Sequence, residues 1–157
     1  MYHGLVIAAL AVASYLVISH YFLQTVEVQG VSMMPTLHNT DHYFLNRWTY
    51  HLHPPKRGDI VVLKDPTDGA IAVKRIIALP GETVHFKNGQ VFVNERLLDE
   101  SYLAPRTSTF TGLRAHEELV TCGKDRFFVM GDNRYQSFDS RIYGPVPRGN
   151  LLGLIIR

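Results

Sequence analysis

Glu82-Thr83-Val84-His85-Phe86-Lys87-Asn88-Gly89-Gln90-Val91-Phe92-Val93-Asn94 reads as two short strands joined back to back. Asn-Gly tolerates the positive φ angles that a two-residue type I′ turn demands, and the flanks are β-branched and aromatic. The stretch is the clearest hairpin in the chain, and it sets the reading of what lies around it. Upstream, Ile60-Val61-Val62-Leu63 reads as a buried strand, punctuated before it by Arg57-Gly58-Asp59, and Ala70 to Leu79 is a second β-branched run. Further back, Val26-Glu27-Val28 and His42-Tyr43-Phe44-Leu45 alternate as half-buried strands do. Downstream, Arg126 to Met130 and Leu151 to Ile156 give two more. Pro-containing polar stretches at His53–Lys56, Asp65–Gly69 and Pro105–Gly112 read as loops. Leu113–Leu119 is the one soluble segment with a hint of a short helical turn.

The N-terminal part is of another kind. No Lys, Arg, Asp or Glu precedes Glu27, and of the 20 residues Gly4–Leu23 only Gly4, Ser14, Ser19 and His20 are not apolar. A helix of that length spans roughly 30 Å, the thickness of a bilayer's hydrocarbon core. The reading is therefore a transmembrane anchor over 1–24, with Tyr21 and Phe22 near an interface. A cleavable leader is the rival, since Ala11-Val12-Ala13 offers a small-x-small site. The apolar run continues past it, however, and a basic n-region is missing. A buried core helix is the third option. The first basic residue among Lys and Arg is Arg47, so charge asymmetry says little about orientation.

The 157 residues carry 16 Lys and Arg against 14 Asp and Glu, a net charge of +2, with 46% apolar residues. That composition excludes wholesale disorder, and no basic stripe points to nucleic acid. The single cysteine excludes an intrachain disulfide and any multi-cysteine metal site.

Three segments carry candidate chemistry. In Gly30-Val31-Ser32-Met33-Met34-Pro35-Thr36-Leu37 a serine stands between a strand and a proline-fixed turn. Alone this is weak, as most loop serines are solvated or cap something. In Ala72-Val73-Lys74-Arg75-Ile76-Ile77-Ala78-Leu79-Pro80-Gly81, Lys74 alternates with Ala72 and Ile76 and so points where they point. Burial there would lower its pKa and free the amine as a base. The plainer reading is a lysine whose stem packs while its ammonium reaches water. In Val129-Met130-Gly131-Asp132-Asn133-Arg134-Tyr135-Gln136-Ser137-Phe138-Asp139-Ser140-Arg141, carboxylates, guanidiniums and hydroxyls crowd one loop. It reads either as a self-satisfied surface loop or as a support that positions a catalytic group. Together the three supply what Ser/Lys acyl transfer requires: a hydroxyl, and a desolvated amine to take its proton.

These boxes, with Arg57-Gly58-Asp59-Ile60-Val61-Val62 between them, resemble in order and spacing those of the type I signal peptidases, in their compact single-anchor form. The resemblance implies a mainly β fold: an antiparallel β-sheet catalytic domain over 25–157, a small inserted β-subdomain at about 83–123, and one N-terminal transmembrane helix. It implies Ser32 as nucleophile and backbone oxyanion donor, Lys74 as general base, and Ser137 as the residue orienting the amine. Arg75, Asp132, Asp139 and Arg141 would support the loops, and Val28, Gln29, Met33 and Val73 would wall the substrate pocket. Gly30 stands where some members carry a serine that donates to the oxyanion, so the second donor is open. No metal or cofactor is implied. The partners implied are preprotein signal peptides and membrane lipid, without nucleic acid, for a monomer at the plasma membrane with its catalytic domain on the extracytoplasmic face.

Other readings rank lower. The eight histidines include none in a comparable box, and His51-Leu52-His53 reads as a loop or a chance metal pair. A silent membrane-tethered β-module that binds exported peptides would need neither Ser32 nor Lys74. A mitochondrial inner-membrane or pilin-maturation peptidase remains within the same chemistry, although no Arg-rich presequence is present.

Overall fold

The computed structural model describes residues 2–110 and 117–156, with the side chains of 2, 16–23, 117 and 118 outside the description. Helix α1 (Tyr2–Phe22) is 21 residues long. Its described side chains, 3–15, are all exposed and rise only about 20 Å along the axis. Among the described residues no helix is long and apolar enough to cross a membrane.

The helix runs directly into β1 (Leu23–Glu27), which pairs antiparallel with β2 (His42–Asn46), Leu23 opposite Asn46. The strand thus starts three residues before the expected Val26 and ends before Val28, because the β2 ladder continues back to Asn46. After a single helical turn, α2 (Thr49–Leu52), come β3 (Ile60–Lys64) and β4 (Ile71–Ala78). Next are β5 (Thr83–Lys87), β6 (Gln90–Val93), the two-residue β7 (Arg96–Leu97) and β8 (Glu117–Thr121). The chain closes with β9 (Arg126–Met130), the short helix α3 (Ser140–Tyr143), β10 (Val146–Pro147) and β11 (Leu151–Ile156).

The strands form two antiparallel sheets, ordered β1-β2-β11-β3-β4-β9-β10 and β7-β6-β5-β8. In the β5–β6 hairpin Lys87 pairs with Gln90, and Asn88 and Gly89 both take positive φ, 51° and 76°. This is the mirror-image turn whose twist matches that of the flanking strands. The suggested helical turn at Leu113–Leu119 falls partly outside the described residues. Glu117–Leu119 lie instead in β8, held by pairing with β5 from His85 to Lys87.

Three apolar clusters make the core. Val84, Phe86, Val91 and Val93 of the small sheet pack on Ile77, Ala78, Phe128 and Met130 of β4 and β9, so the small sheet seats on the large one. Val28, Met33 and Leu37 pack against Leu45, Ile60, Val62 and Ile155. That cluster ties down the loop carrying Ser32. The third gathers Val61, Leu63, Ile76, Phe127, Val129 and Val146.

Strand β11 inserts between β2 and β3 with an irregularity between Leu151 and Gly153. A Cβ on Gly153 would lie 2.6 Å from the Asn46 carbonyl oxygen and 2.7 Å from Leu45 Cδ1. Gly153→Ala should therefore destabilise by about 1–3 kcal/mol through overpacking. Chemical denaturation in detergent should show a lower midpoint at unchanged slope, and an unchanged midpoint would mean that β11 yields freely.

Candidate active site

Lys74 sits mid-way along β4, opposite Val61 of β3. Alternation puts Ala72 and Ile76 on its face, and both belong to the third cluster with Val61. Only 4% of Lys74 is exposed. Its Nζ donates to Ser32 Oγ at 3.2 Å. Ser32, half-buried, precedes fully buried Met33. Its backbone N–H donates to nothing among the described residues, while its carbonyl accepts from Asn133 N at 2.9 Å. Gly30 has φ of +97° and, having no side chain, offers no hydroxyl donor.

The 131–141 loop holds this arrangement from behind. Asn133 Nδ2 donates to the Val31 carbonyl at 3.2 Å. The Arg141 fork places Nε and an Nη each 2.8 Å from the two oxygens of Asp139, which also accepts from Gly131 N at 3.0 Å. Asp139 caps α3 through the Arg141 N–H. On the opposite face of β4, Arg75 makes a second fork to Asp132, at 2.9 and 2.7 Å. It also donates to the Gly58 carbonyl, at 2.9 Å, and lies 3.9 Å over the Tyr102 ring. The Arg57-Gly58-Asp59 turn thus receives the guanidinium through its backbone. Both ion pairs are almost fully buried. Removing one partner of such a pair costs about 3–5 kcal/mol, because a charge is left uncompensated.

Ser137 Oγ is buried and, among the described residues, makes no hydrogen bond of normal geometry, to Lys74 or to others. It stands against Gly131 and near enough to the Asp139 carboxylate to help hold it ionised. Four residues of the sheath escaped the sequence reading. Arg134, 3% exposed, donates to the Gly131 carbonyl at 3.0 Å, Thr109 Oγ1 at 2.5 Å and Glu100 Oε1 at 2.6 Å. It joins this loop to the 99–110 segment. Asp65, 8% exposed, ends β3 and accepts from Thr67 N and Oγ1. Tyr143 OH is buried without a partner. Asn133 clasps the serine loop. Arg134 and Asn133 lie inside the quoted box, which was the available signal. For Asp65 and Tyr143 the sequence offered none.

Burial pushes the Lys74 amine below the usual lysine range. The carboxylates of Asp139 and Asp65 pull it back up, and Arg141 adds to the lowering. Burial alone would raise the Asp139 carboxyl. The Arg141 hydrogen bonds and charge, with the Gly131 N–H and the Ser137 hydroxyl, outweigh it and hold Asp139 below its ordinary value. Burial likewise raises the Tyr143 phenol, with Asp139 and Asp65 adding to it. An amine so placed can accept a proton from Ser32 while Asp139 stays ionised.

Two cavities open at the Ser32–Lys74 contact. One, of about 400 Å³, is lined by Val28, Gln29, Met33 and Val73 with both residues of the contact, its floor deepened by Val62. The other, of about 600 Å³, is lined by Ser32, Lys74, Asp65, Asp68, Gln136 and Phe138. Among the described residues no cluster could hold a metal ion.

The family described as Signal peptidase, peptidase S26, matches residues 2–156. The chain belongs to that family. A Signal peptidase I of Leptolyngbya laminosa is 35% identical over 156 residues, covering 94% of this chain and 71% of that one. One from Bacillus amyloliquefaciens is 38% identical over 150 residues, covering 93% and 74%. Signal peptidase I S of Bacillus subtilis reaches 41% over 137 residues, covering 84% and 73%. Among solved structures, a signal peptidase I from Enterococcus faecalis matches at 31% identity with a TM-score of 0.57, covering 66% of this chain and 98% of that one. The antiparallel, mainly β architecture is that of the family.

Two outcomes follow for the site. Asp65→Asn keeps an acceptor for Thr67 but removes a charge that raises the Lys74 pKa. If the neutral amine is the base, activity in this variant should rise at lower pH than in the wild type. A pH–rate profile with an unmoved acid limb would confine Asp65 to its turn. In Gly131→Ala the new methyl would press on Ser137 Oγ and lie 2.5 Å from the Ser32 carbonyl oxygen. Displacing the serine should lower turnover by about a hundredfold, read as kcat in folded protein.

Proposed function

We propose that this protein is a membrane-anchored serine endopeptidase that cleaves signal peptides from exported preproteins after a small-x-small site. The observation that carries this reading is the 3.2 Å contact between Ser32 Oγ and the nearly buried Lys74 amine, set in a chain of the signal peptidase family.

In the proposed reaction Ser32 Oγ attacks the scissile carbonyl carbon as the neutral Lys74 amine takes its proton. The oxyanion that forms is received by the Ser32 N–H. As the C–N bond breaks, the Lys74 ammonium protonates the leaving amine. Water then attacks the acyl ester with Lys74 again as base, and Ser32 is restored. Ser137 orients the amine, its unpaired hydroxyl being available to it. Arg141 with Asp139, and Arg75 with Asp132, are positioning residues that fix the loops around the contact. The cavity between Val28, Gln29, Met33 and Val73 admits small side chains and excludes larger ones by shape. The substrate adds as a strand, with main-chain hydrogen bonds supplying affinity.

Residues 1–24 serve as the anchor and 25–157 as the catalytic domain, with 83–123 an insertion. Support for the anchor comes from a 21-residue helix whose sequence contains no Lys, Arg, Asp or Glu. An internally bonded helix is what lipid demands of such a segment. The protein then works as a monomer at the plasma membrane, the catalytic domain on the extracytoplasmic side.

The test is cleavage of a preprotein with an Ala-x-Ala site by detergent-solubilised full chain. Ser32→Ala should lose at least about three orders of magnitude in rate. Equal cleavage by both proteins would assign the nucleophile elsewhere, and none by folded wild type would favour a silent binding module. Ser137→Ala should lower kcat strongly while costing less than about 1 kcal/mol of stability, since its hydroxyl is the least of the groups that hold the Asp139 carboxylate. Parallel loss of both would make Ser137 structural.

A further inference from the structure

A cavity of about 780 Å³ lies away from the Ser32–Lys74 contact. Its walls include Arg47, Trp48, Tyr50, His51 and Arg148, with Gln24 at one edge. Leu23 pairs with Asn46, so Gln24 and Arg47 both stand where α1 ends. The cavity is at the foot of that helix.

Its chemistry is cationic and aromatic. Arg148 is fixed across the cavity by donating to the Tyr50 carbonyl at 2.5 Å, and its backbone N–H binds the Asp125 carbonyl. Arg47 is exposed, and among the described residues it makes no hydrogen bond or ion pair. The Trp48 and His51 rings meet tilted at 51°, with centroids 5.2 Å apart. One carboxylate, that of exposed Asp125, also lines the space, against two guanidiniums and an imidazole. Leu52, next in sequence, is 73% exposed. Guanidinium forks match phosphate oxygens. Tryptophan and tyrosine favour the headgroup level of a bilayer, and basic residues beside a membrane helix select anionic lipid.

We propose that this cavity is a binding site for the phosphate headgroup of an anionic phospholipid, held between Arg47 and Arg148. The proposal rests on the reading of α1 as a membrane anchor, which puts the cavity at headgroup height. Bound lipid would brace the junction between α1 and β1 and fix the catalytic domain's tilt over the bilayer.

Trp48 is the chain's one tryptophan and lines this cavity, so its fluorescence can read binding there. The experiment titrates short-chain phosphatidylglycerol into the detergent-solubilised full chain, with short-chain phosphatidylcholine and inorganic phosphate as parallel probes. A saturable Trp48 response to phosphatidylglycerol, absent with phosphatidylcholine and weakened about tenfold in Arg47→Gln, is expected. It should weaken further at high salt. Arg148→Lys, which keeps the charge but not the fork, should weaken binding without unfolding the protein. An equal response to inorganic phosphate would overturn the lipid assignment in favour of a free-anion site. Equal responses to both lipids, or none, would overturn the proposal. Resistance of the bilayer-reconstituted chain to alkaline carbonate extraction tests the anchor separately. Protein retained in the bilayer without the lipid-specific response would sink the site and leave the anchor standing. Protein extracted, with the response intact in detergent, would sink the anchor and leave the site.

Discussion

Two consecutive residues of β4 divide the work of the site. Lys74 faces one side of the sheet and Arg75 the other, and the second makes the first possible. Arg75 spends its donors on Asp132 and the Gly58 carbonyl, and Tyr102 covers its face. Three separate segments are thus drawn to one point on one strand. With the 131–141 loop fixed in this way, Asn133 reaches the Ser32 loop by two hydrogen bonds and Asp139 reaches the neighbourhood of the amine. A buried ion pair contributes little net stability over an apolar replacement. Its value here is one of placement, since a shift of an ångström at the serine would matter more than a kilocalorie in the fold.

The amine is tuned by opposing effects. Burial in an apolar face drives it toward neutrality, while two carboxylates hold it back and one guanidinium assists the burial. The balance leaves a lysine that is neither a solvated cation nor a group stripped of every counter-charge. Asp139 can stay charged beside it because the Arg141 fork neutralises most of its field.

Much of this was legible in the sequence where chemistry was local. Asn88-Gly89 announced its turn because few residues accept two successive positive φ angles. Lys74 and Arg75 were conspicuous as two adjacent cations in an apolar run, and alternation put them on opposite faces. What was not legible depended on contacts between distant segments. Glu117-Glu118 opens β8 with two carboxylates, a poor strand signal, and the strand exists because β5 offers it a ladder. Asp65 reads as an ordinary turn-capping aspartate until the fold brings it beside Lys74. Tyr143 and Arg134 likewise acquire meaning only from what surrounds them. The basic and aromatic run 47–51 carries no signal of its own in the sequence, and the Leu23–Asn46 pairing is what brings it to the end of α1.

Strand β11 has a consequence for timing. It follows every other strand in the chain, yet it lies between β2 and β3. The β1–β2 hairpin, from whose connection Ser32 projects, joins the sheet bearing Lys74 through this strand. Closing so long a loop is entropically costly and slow. Until β11 docks, no strand pairing joins the hairpin that carries the Ser32 loop to the strands that carry Lys74. The ladder that aligns the Ser32 hydroxyl with the Lys74 amine is thus complete only when the strand latest in sequence among those described has taken its place.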